Sequence, residues 1–160
     1  MAQGRPNILW ICTDQQRFDT LGCYGNDFVT TPNIDRLARE GILFERAYSQ
    51  SPVCTPSRGS FLTGRYPRTC GIRQNGQDIP ETERLVTALL RDEGYVCGLS
   101  GKLHLSACHP PVCPVAERRI DDGYDDFHWS HHPAGLDSEK GWLMNEYGRW
   151  LREEGVEFHA

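Results

Sequence analysis

Residues 54–65, with the sequence CTPSRGSFLTGR, carry the strongest structural signal in the chain. Pro56 favours the first position of a helix, because its missing N–H would have no partner there. The predicted helix ends at Gly64, so Cys54 should lie at its N-terminus, where unpaired N–H groups and the helix dipole favour an anion. Arg58, one turn inside, adds a fork of donors suited to sulfate, phosphate or carboxylate. The segment therefore predicts a thiol, an anion site and a cationic clamp close together.

Strand and helix patterns alternate on both sides of this segment. Short apolar runs bounded by turn formers predict strands, the first of them buried and parallel, at residues 7–13, 42–48 and 95–100. Proline starts, glycine stops and apolar faces predict helices, from Thr31-Pro32 to Gly41, from Pro80-Glu81-Thr82 to Gly94, and over 140–154. This alternation indicates an α/β domain with a mainly parallel sheet flanked by helices.

Polar residues follow two of the predicted strands directly. Asp14 comes after the strand at 7–13, and Lys102 and His104 come after the strand at 95–100. Open α/β sheets bind ligands beyond the carboxyl ends of their strands. If the short segment that holds Lys102 and His104 stays extended, the two side chains point to the same side, because side chains alternate along extended backbone. These residues are therefore predicted to lie at a ligand site.

The bulk composition argues against two classes of function. The 160 residues suit one domain, carry a net charge of −5 and have scattered arginines, so neither a nucleic-acid face nor a polybasic membrane patch is predicted. The longest apolar run, residues 8–12, is far shorter than the roughly 20 residues that a membrane span needs. Residues 1–6 lack the apolar core of a signal peptide, which predicts a cytoplasmic protein and leaves a periplasmic or secreted location open.

Seven cysteines are many for this length, and their odd number rules out complete internal pairing. A cytosolic location favours free thiols. Cys12 and Cys97 lie in apolar, strand-like runs, where a buried cysteine behaves as a small hydrophobe. Cys54 alone has an electropositive setting, which makes it the candidate reactive cysteine.

The pattern Cys-x-Pro-Ser-Arg at 54–58, continued to Arg65, resembles the signature of the type I sulfatases, the formylglycine-dependent members of the alkaline phosphatase superfamily. Four further segments resemble the same family, at residues 6–15, 31–38, 101–104 and 122–127. The resemblance extends from Pro6 to Phe127. It implies an alkaline-phosphatase-like α/β fold and the activity of a sulfuric ester hydrolase, as in the arylsulfatases.

The resemblance implies a covalent mechanism that starts from Cys54. In the family a formylglycine-generating enzyme oxidises this cysteine to 3-oxoalanine (formylglycine), and one hydroxyl of the hydrated aldehyde attacks the sulfur of a sulfate ester. The alcohol leaves, and the second hydroxyl then collapses to the aldehyde and expels sulfate, so that one hard step becomes two. The implied partner is a small-molecule or saccharide sulfate ester.

The same resemblance implies a divalent metal held by Asp14, Gln15 and Cys54. Calcium is the expected ion, because it prefers carboxylate and amide oxygens. Many members of the family have a second aspartate where this chain has Gln15. The amide still offers an oxygen, but it lowers the negative charge of the site.

Three further residues would take catalytic roles by this resemblance. Arg58 would orient the formylglycine, and Lys102 would contact the sulfate oxygens as a point charge. His104 would assist the collapse of the diol as a general base. On their own, an arginine, a lysine and a histidine are more often solvated surface groups, so the roles depend on the family pattern.

Members of the family are several hundred residues longer than this chain. The resemblance assigns residues 1–127 to the N-terminal part of the catalytic α/β domain, and residues 128–160 to a continuation that stops before the remaining active-site residues and the C-terminal domain. The remaining part normally supplies a second pair of metal ligands. The isolated chain is therefore expected to be an inactive fragment, and association with a second copy is left open.

Two alternative functions stay open at this point. The phosphonate monoester and phosphodiester hydrolases of the same superfamily share the fold, the metal and the formylglycine. A zinc-binding interaction module would use cysteine and histidine ligands, namely Cys97, His104, Cys108, His109 and Cys113. Residues 128–132 are rich in aromatic and imidazole side chains, which fits either a substrate pocket or a packing loop.

Overall fold

The computed structural model describes residues 4–108, 113, 116–131 and 146–156. The chain forms two compact units, Met1–Tyr48 and Ser49–Ala160. All seven cysteines lie among the described residues, and none of them is in a disulfide. The longest described helix has ten residues, and no helix in this part of the chain is long and apolar enough to cross a membrane.

The described part of the first unit contains two 3-10 turns and one α-helix, namely Phe18–Thr20, Gly22–Tyr24 and α1 (Pro32–Glu40). Helix α1 begins after Thr31 and ends at Gly41, which confirms the predicted proline start and glycine stop. The Asp35 carboxylate accepts a hydrogen bond from the Cys23 N–H at 2.7 Å. This bond ties the first turn of α1 to the 3-10 turn that precedes it.

The predicted strand at 7–13 is wrong. Residues 4–17 form neither helix nor strand, the apolar side chains from Ile8 to Ile11 are 60–84% exposed, and Cys12 is exposed rather than buried. Residues 42–48 likewise form no strand. An apolar run becomes a strand only where another strand completes its hydrogen-bond ladder. Among the residues described in this unit, no strand is present to pair with either run.

The described part of the second unit contains three helices and two strands, namely α2 (Cys54–Thr63), α3 (Val86–Asp92), β1 (Gly98–Gly101), β2 (Asp126–Trp129) and α4 (Glu146–Glu153). Strands β1 and β2 pair in parallel, with Gly98 opposite Asp126. Strand β1 begins later than the strand predicted at 95–100, because the Tyr95 N–H donates to the Leu90 carbonyl at 3.1 Å and closes α3. The parallel ladder and its helices agree with the predicted α/β fold.

One predicted helix start in this unit differs from the structure, and a second lies outside the described residues. Helix α3 begins at Val86 rather than at Pro80, because the Glu83 N–H donates to the Pro80 carbonyl at 3.0 Å and forms a turn there. The predicted helix over 140–154 corresponds to α4, and residues 140–145 lie outside the described residues.

A cluster of buried side chains forms the core of the second unit, namely Leu62, Cys70, Ile72, Ile79, Leu85, Leu103, Leu105, Cys113 and Trp129. Leu103 and Leu105 lie on either side of His104, so the segment after β1 is anchored in this core. Helix α2 is buried over most of its length. Gly59 allows close packing against it, since a Cβ at that position would lie 2.9 Å from the Cδ1 of Ile72. The core therefore fixes both α2 and the segment that holds His104.

Candidate active site

Cys54 is the first residue of α2 and is half-buried, which confirms its predicted place at a helix N-terminus. The helix begins before its proline, because the Val53 carbonyl already accepts the Ser57 N–H at 3.1 Å. The Thr55 N–H, next to Cys54, donates to the side-chain oxygen of Asn75 at 2.9 Å. This amide oxygen satisfies one of the N–H groups that a helix start leaves without an intrahelical partner.

Arg58 lies inside the protein, with 7% of its surface exposed. One N–H of its guanidinium donates to the backbone carbonyl of Lys102. Most arginines of globular proteins lie at the surface, so a buried guanidinium bonded to backbone marks a specific position. The bond joins α2 to the residue that follows β1, and thereby brings the predicted Arg58 and Lys102 segments together.

The segment that holds Lys102 and His104 is not extended. His104 has a φ of 55°, in the left-handed region, and only 4% of its surface is exposed, whereas Lys102 is half-buried. The condition for the two side chains to share one side by strand alternation is therefore not met, since that rule needs extended backbone at both residues.

Glu117 holds this segment from within the core. Its Oε1 accepts hydrogen bonds from the His104 N–H at 2.6 Å and the Trp129 Nε1–H at 2.8 Å. Its Oε2 accepts the Leu105 N–H at 2.7 Å and the Ser106 hydroxyl at 3.4 Å. Burial raises the pKa of the Glu117 carboxyl, and the hydrogen bonds that it accepts oppose this shift only in part. The carboxylate thus serves as the common acceptor for β2 and the His104 segment.

The imidazole of His104 meets a second buried imidazole. The ring centroids of His104 and His131 are 4.3 Å apart, and their planes are nearly perpendicular at 81°. His131 in turn stacks on Trp129, with centroids 5.9 Å apart and planes within 9°. His128 is exposed and bonds to Glu146 instead. Within residues 128–132, Trp129 and His131 therefore belong to the His104 site, and residue 132 lies outside the described residues.

The predicted metal ligands Asp14 and Gln15 belong to the first unit, and Cys54 belongs to the second. Asp14 and Gln15 are both exposed, and Gln15 has a φ of 56°. Carboxylate and amide oxygens suit calcium, but that ion takes about six to eight oxygens. Over the described parts of the chain, no group of three or more His, Cys, Asp or Glu residues could hold a metal ion. The residues that the structure describes therefore do not form a complete metal site by themselves.

The zinc alternative finds no support in the same residues. A zinc site takes at least three protein ligands. Among the residues that the structure describes, no group of three or more His, Cys, Asp or Glu side chains could hold a metal ion. His109, the remaining histidine of the suggested set, lies outside the described residues.

Sequence reasoning singles out neither Asn75 nor Glu117. Asn75 precedes Gly76, and this pair indicates a turn rather than a contact with a helix 20 positions earlier. Glu117 stands beside two arginines, where a carboxylate is usually solvated. Neither position carries a local signal for its role, because each role depends on a contact made only in the folded chain.

Comparison with known proteins gives the family. A sequence model of the sulfatase family matches residues 6–138. Steryl-sulfatase from Mus musculus is 37% identical over 133 residues, and an ulvan-active sulfatase from Formosa agariphila is 41% identical over 121 residues, with 76% of this chain covered in each case. A solved structure in complex with its substrate D-glucosamine-2-N,6-O-disulfate superposes on 82% of this chain with a TM-score of 0.67 and 32% identity.

The chain spans 21% and 23% of the lengths of these two curated relatives, and 24% of the solved chain. The family match nevertheless covers most of this sequence, and it extends past Phe127, where the resemblance was expected to end. It includes the helix that starts at Cys54, the segment of Lys102 and His104, and Glu117. On these matches, the chain belongs to the sulfatase family.

Proposed function

We propose that this chain supplies, from Cys54, the formylglycine nucleophile of an enzyme that hydrolyses sulfate esters, and that the isolated chain alone is inactive. One arrangement carries the proposal: Cys54 starts a buried helix whose Arg58 bonds to the backbone of Lys102. The nucleophile, the guanidinium and the segment of His104 therefore belong to one compact unit. Family membership supplies the reaction class, because the matched relatives are sulfatases by name.

Cys54 fits the modification, because it is half-buried at a helix start where N–H groups favour an oxyanion. A formylglycine-generating enzyme would carry out the oxidation during maturation. Once hydrated, the aldehyde supplies one hydroxyl that attacks sulfur and a second whose deprotonation leads to release of sulfate. Charge stabilisation, sulfate binding and proton transfer are proposed for the unmodified side chains of Arg58, Lys102 and His104.

Arg58 places a buried positive charge one turn from Cys54, where it stabilises the negative charge of the nucleophile and of the sulfate group. Lys102 donates hydrogen bonds to the sulfate oxygens as the ester bond breaks. His104 takes the proton whose loss allows sulfate to leave. The burial of His104 and its contact with His131 exclude water from this imidazole and hold it in one orientation.

We also propose that Asp14 and Gln15 each give one oxygen to a divalent cation, expected to be calcium. Calcium binding by the purified protein, measured by isothermal titration calorimetry, tests the assignment. Asp14→Asn should weaken binding by about tenfold or more, and Gln15→Asp should tighten it, because the two changes alter the charge of the site in opposite directions. Unchanged affinity in both variants would refute these two ligands.

The substrate class is tested by comparing three kinds of ester. The protein purified from its own host should turn over an aryl sulfate faster than an aryl phosphodiester or an aryl phosphonate monoester. Cys54→Ala should abolish turnover of all three, which ties the activity to this residue and not to a contaminant. Faster turnover of the phosphodiester would replace the sulfatase proposal with the alternative hydrolase of the same superfamily.

Two classes of alcohol are worth testing after the aryl sulfate. Relatives matched by this chain carry the names steryl-sulfatase and ulvan-active sulfatase, and a solved neighbour binds D-glucosamine-2-N,6-O-disulfate. A steroid sulfate and a sulfated amino sugar therefore form the natural second panel. Comparing kcat/KM for the two separates an apolar from a polar substrate pocket.

A further inference from the structure

Glu117 has no role in the reaction proposed for Cys54, Arg58, Lys102 and His104. It is a carboxylate with only 4% of its surface exposed, and both of its oxygens accept hydrogen bonds from the segment that follows β1 or from β2. We propose that Glu117 is a positioning residue, which holds the backbone of His104 in its left-handed conformation and thereby orients the imidazole toward the sulfate site. This inference rests on the proposed function, which gives His104 its role.

The backbone at His104 needs an external partner. A φ of 55° is unfavourable for a residue with a Cβ, because the side chain crowds the following carbonyl. This conformation does, however, allow successive backbone N–H groups to point at one anion. The N–H groups of His104 and Leu105 do so, at 2.6 Å from Oε1 and 2.7 Å from Oε2 of the same carboxylate. Glu117 is the anion of this small concavity.

The same carboxylate is also connected to the side chain of His104, through Trp129 and His131. Oε1 of Glu117 accepts the Nε1–H of Trp129, the Trp129 ring stacks on His131, and the His131 ring meets that of His104. A closed chain of contacts therefore runs from the backbone of His104 through Glu117, Trp129 and His131 to its imidazole. A group that fixes both the backbone and a neighbouring ring is suited to set the direction of a side chain.

A glutamine cannot take the place of this carboxylate. Each oxygen accepts at least one backbone N–H, so either orientation of the amide would turn an NH2 donor toward a backbone donor. Glu117→Gln keeps the size of the side chain and removes its charge. This variant therefore tests the acceptor pattern with the smallest change of shape.

The test is a double-mutant cycle between Glu117→Gln and His104→Ala in the protein purified from its own host. We expect Glu117→Gln alone to lower kcat for an aryl sulfate by roughly 10- to 100-fold, as a small misplacement of a catalytic group does. The KM should stay within about threefold, because ground-state binding does not depend on the base. In the His104→Ala background, Glu117→Gln should change kcat by less than about twofold, because no imidazole is left to orient.

Glu146→Gln is the matched control, because it makes the same chemical change at a half-buried glutamate that bonds to the exposed His128, away from His104. It should leave kcat unchanged. Formylglycine content and thermal unfolding are measured for every variant. If Glu117→Gln does not fold, Trp129→Phe takes its place in the cycle, since it removes the donor to Oε1 and retains an aromatic ring beside His131.

Multiplicative effects of the two substitutions, or an unchanged kcat in Glu117→Gln, would overturn the positioning role. Absence of sulfate-ester turnover by the wild-type protein would instead refute the proposed function. In that case the NMR titration of the His104 imidazole decides the inference. A shifted midpoint in Glu117→Gln supports the coupling, and an unchanged midpoint overturns it.

Discussion

The guanidinium of Arg58 donates a hydrogen bond to the backbone carbonyl of Lys102, across 44 positions of sequence. Both residues are candidate cations for the sulfate group. In this hydrogen bond, however, Arg58 contributes its side chain and Lys102 contributes its backbone. Because Arg58 is buried, the bond is shielded from water and from competing anions. It fixes where the chain leaves β1 with respect to the helix that Cys54 begins.

Arg58→Lys should damage both stability and activity. A lysine keeps the charge but not the planar fork, so the bond to the Lys102 carbonyl is lost. We expect the free energy of unfolding to fall by about 1–3 kcal/mol in urea titrations, and kcat/KM for an aryl sulfate to fall by roughly tenfold or more. Arg91→Lys is the control, because Arg91 pairs with the exposed carboxylate of Asp121 and should lose no more than about 1 kcal/mol. Equal losses of unfolding free energy and of kcat/KM in the two variants would show that the buried bond contributes no more than an exposed ion pair.

Asn75 should stabilise the helix start that holds Cys54. Asn75→Ala removes the acceptor for the Thr55 N–H and should lower the free energy of unfolding by about 0.5–2 kcal/mol. Asn75→Asp retains an acceptor and should retain stability. Its negative charge would nevertheless compete with an anionic substrate at the same helix end, so KM should rise while the unfolding midpoint stays near that of the wild type. A rise in KM for Asn75→Ala as large as for Asn75→Asp would argue against an anion site there.

Gly123 allows the loop before β2 to approach α3 closely. It has a φ of 83°, and a Cβ at this position would lie 2.3 Å from the backbone nitrogen of Ala88. Backbone atoms of a helix cannot yield as a side chain can, so Gly123→Ala should cost about 3 kcal/mol or more. Gly76→Ala is the matched control, since it has a φ of 87° and no atom within 4 Å of the added Cβ. The control should lose only the conformational part, about 1–2 kcal/mol, and similar losses in the two variants would contradict the close approach.

His128 should titrate above an ordinary histidine. Its hydrogen bond to Glu146 raises the pKa of the imidazole, with a smaller contribution from Asp126. Because the folded pKa is raised, the pair contributes stability that is fully present below the unfolded pKa of about 6.5 and is lost as the pH rises through the folded pKa. An NMR titration should show the His128 midpoint falling toward 6.5 in Glu146→Gln, and falling less in Asp126→Asn. A midpoint that does not move in Glu146→Gln would exclude the pair in solution.

Proline and glycine in the sequence predicted α1 and α2, because residues close to the ends of these helices determine where they begin and end. The bounds of α1 follow from Thr31, Pro32 and Gly41, and Pro56 indicates the first turn of α2, although the helix begins two residues earlier, at Cys54. The apolar run at 7–13 could not be placed in the same way. Its hydrophobicity predicts burial in a sheet, but a strand also needs a partner, and no signal within the run states which segment provides one.

The site shows the same division between local and distant causes. The candidates Cys54, Arg58, Lys102 and His104 carry recognisable motifs, and a direct bond connects two of them. The left-handed backbone of His104 could not be predicted from its residue type, because glycine is the usual marker and most histidines have a negative φ. Its cause lies 13 positions later, at Glu117. Residues that act by holding others are therefore the part of this site that only the folded structure reveals.

The central claim is that Cys54 is the precursor of the nucleophile, and mass spectrometry of one peptide tests it most directly. Trypsin releases residues 47–58, which contain Cys54 as their only cysteine. In protein purified from its own host, we predict that this peptide carries formylglycine, with a lower mass than the cysteine form and no reaction with thiol alkylating agents. A peptide that contains only alkylated, unmodified Cys54 would contradict the account.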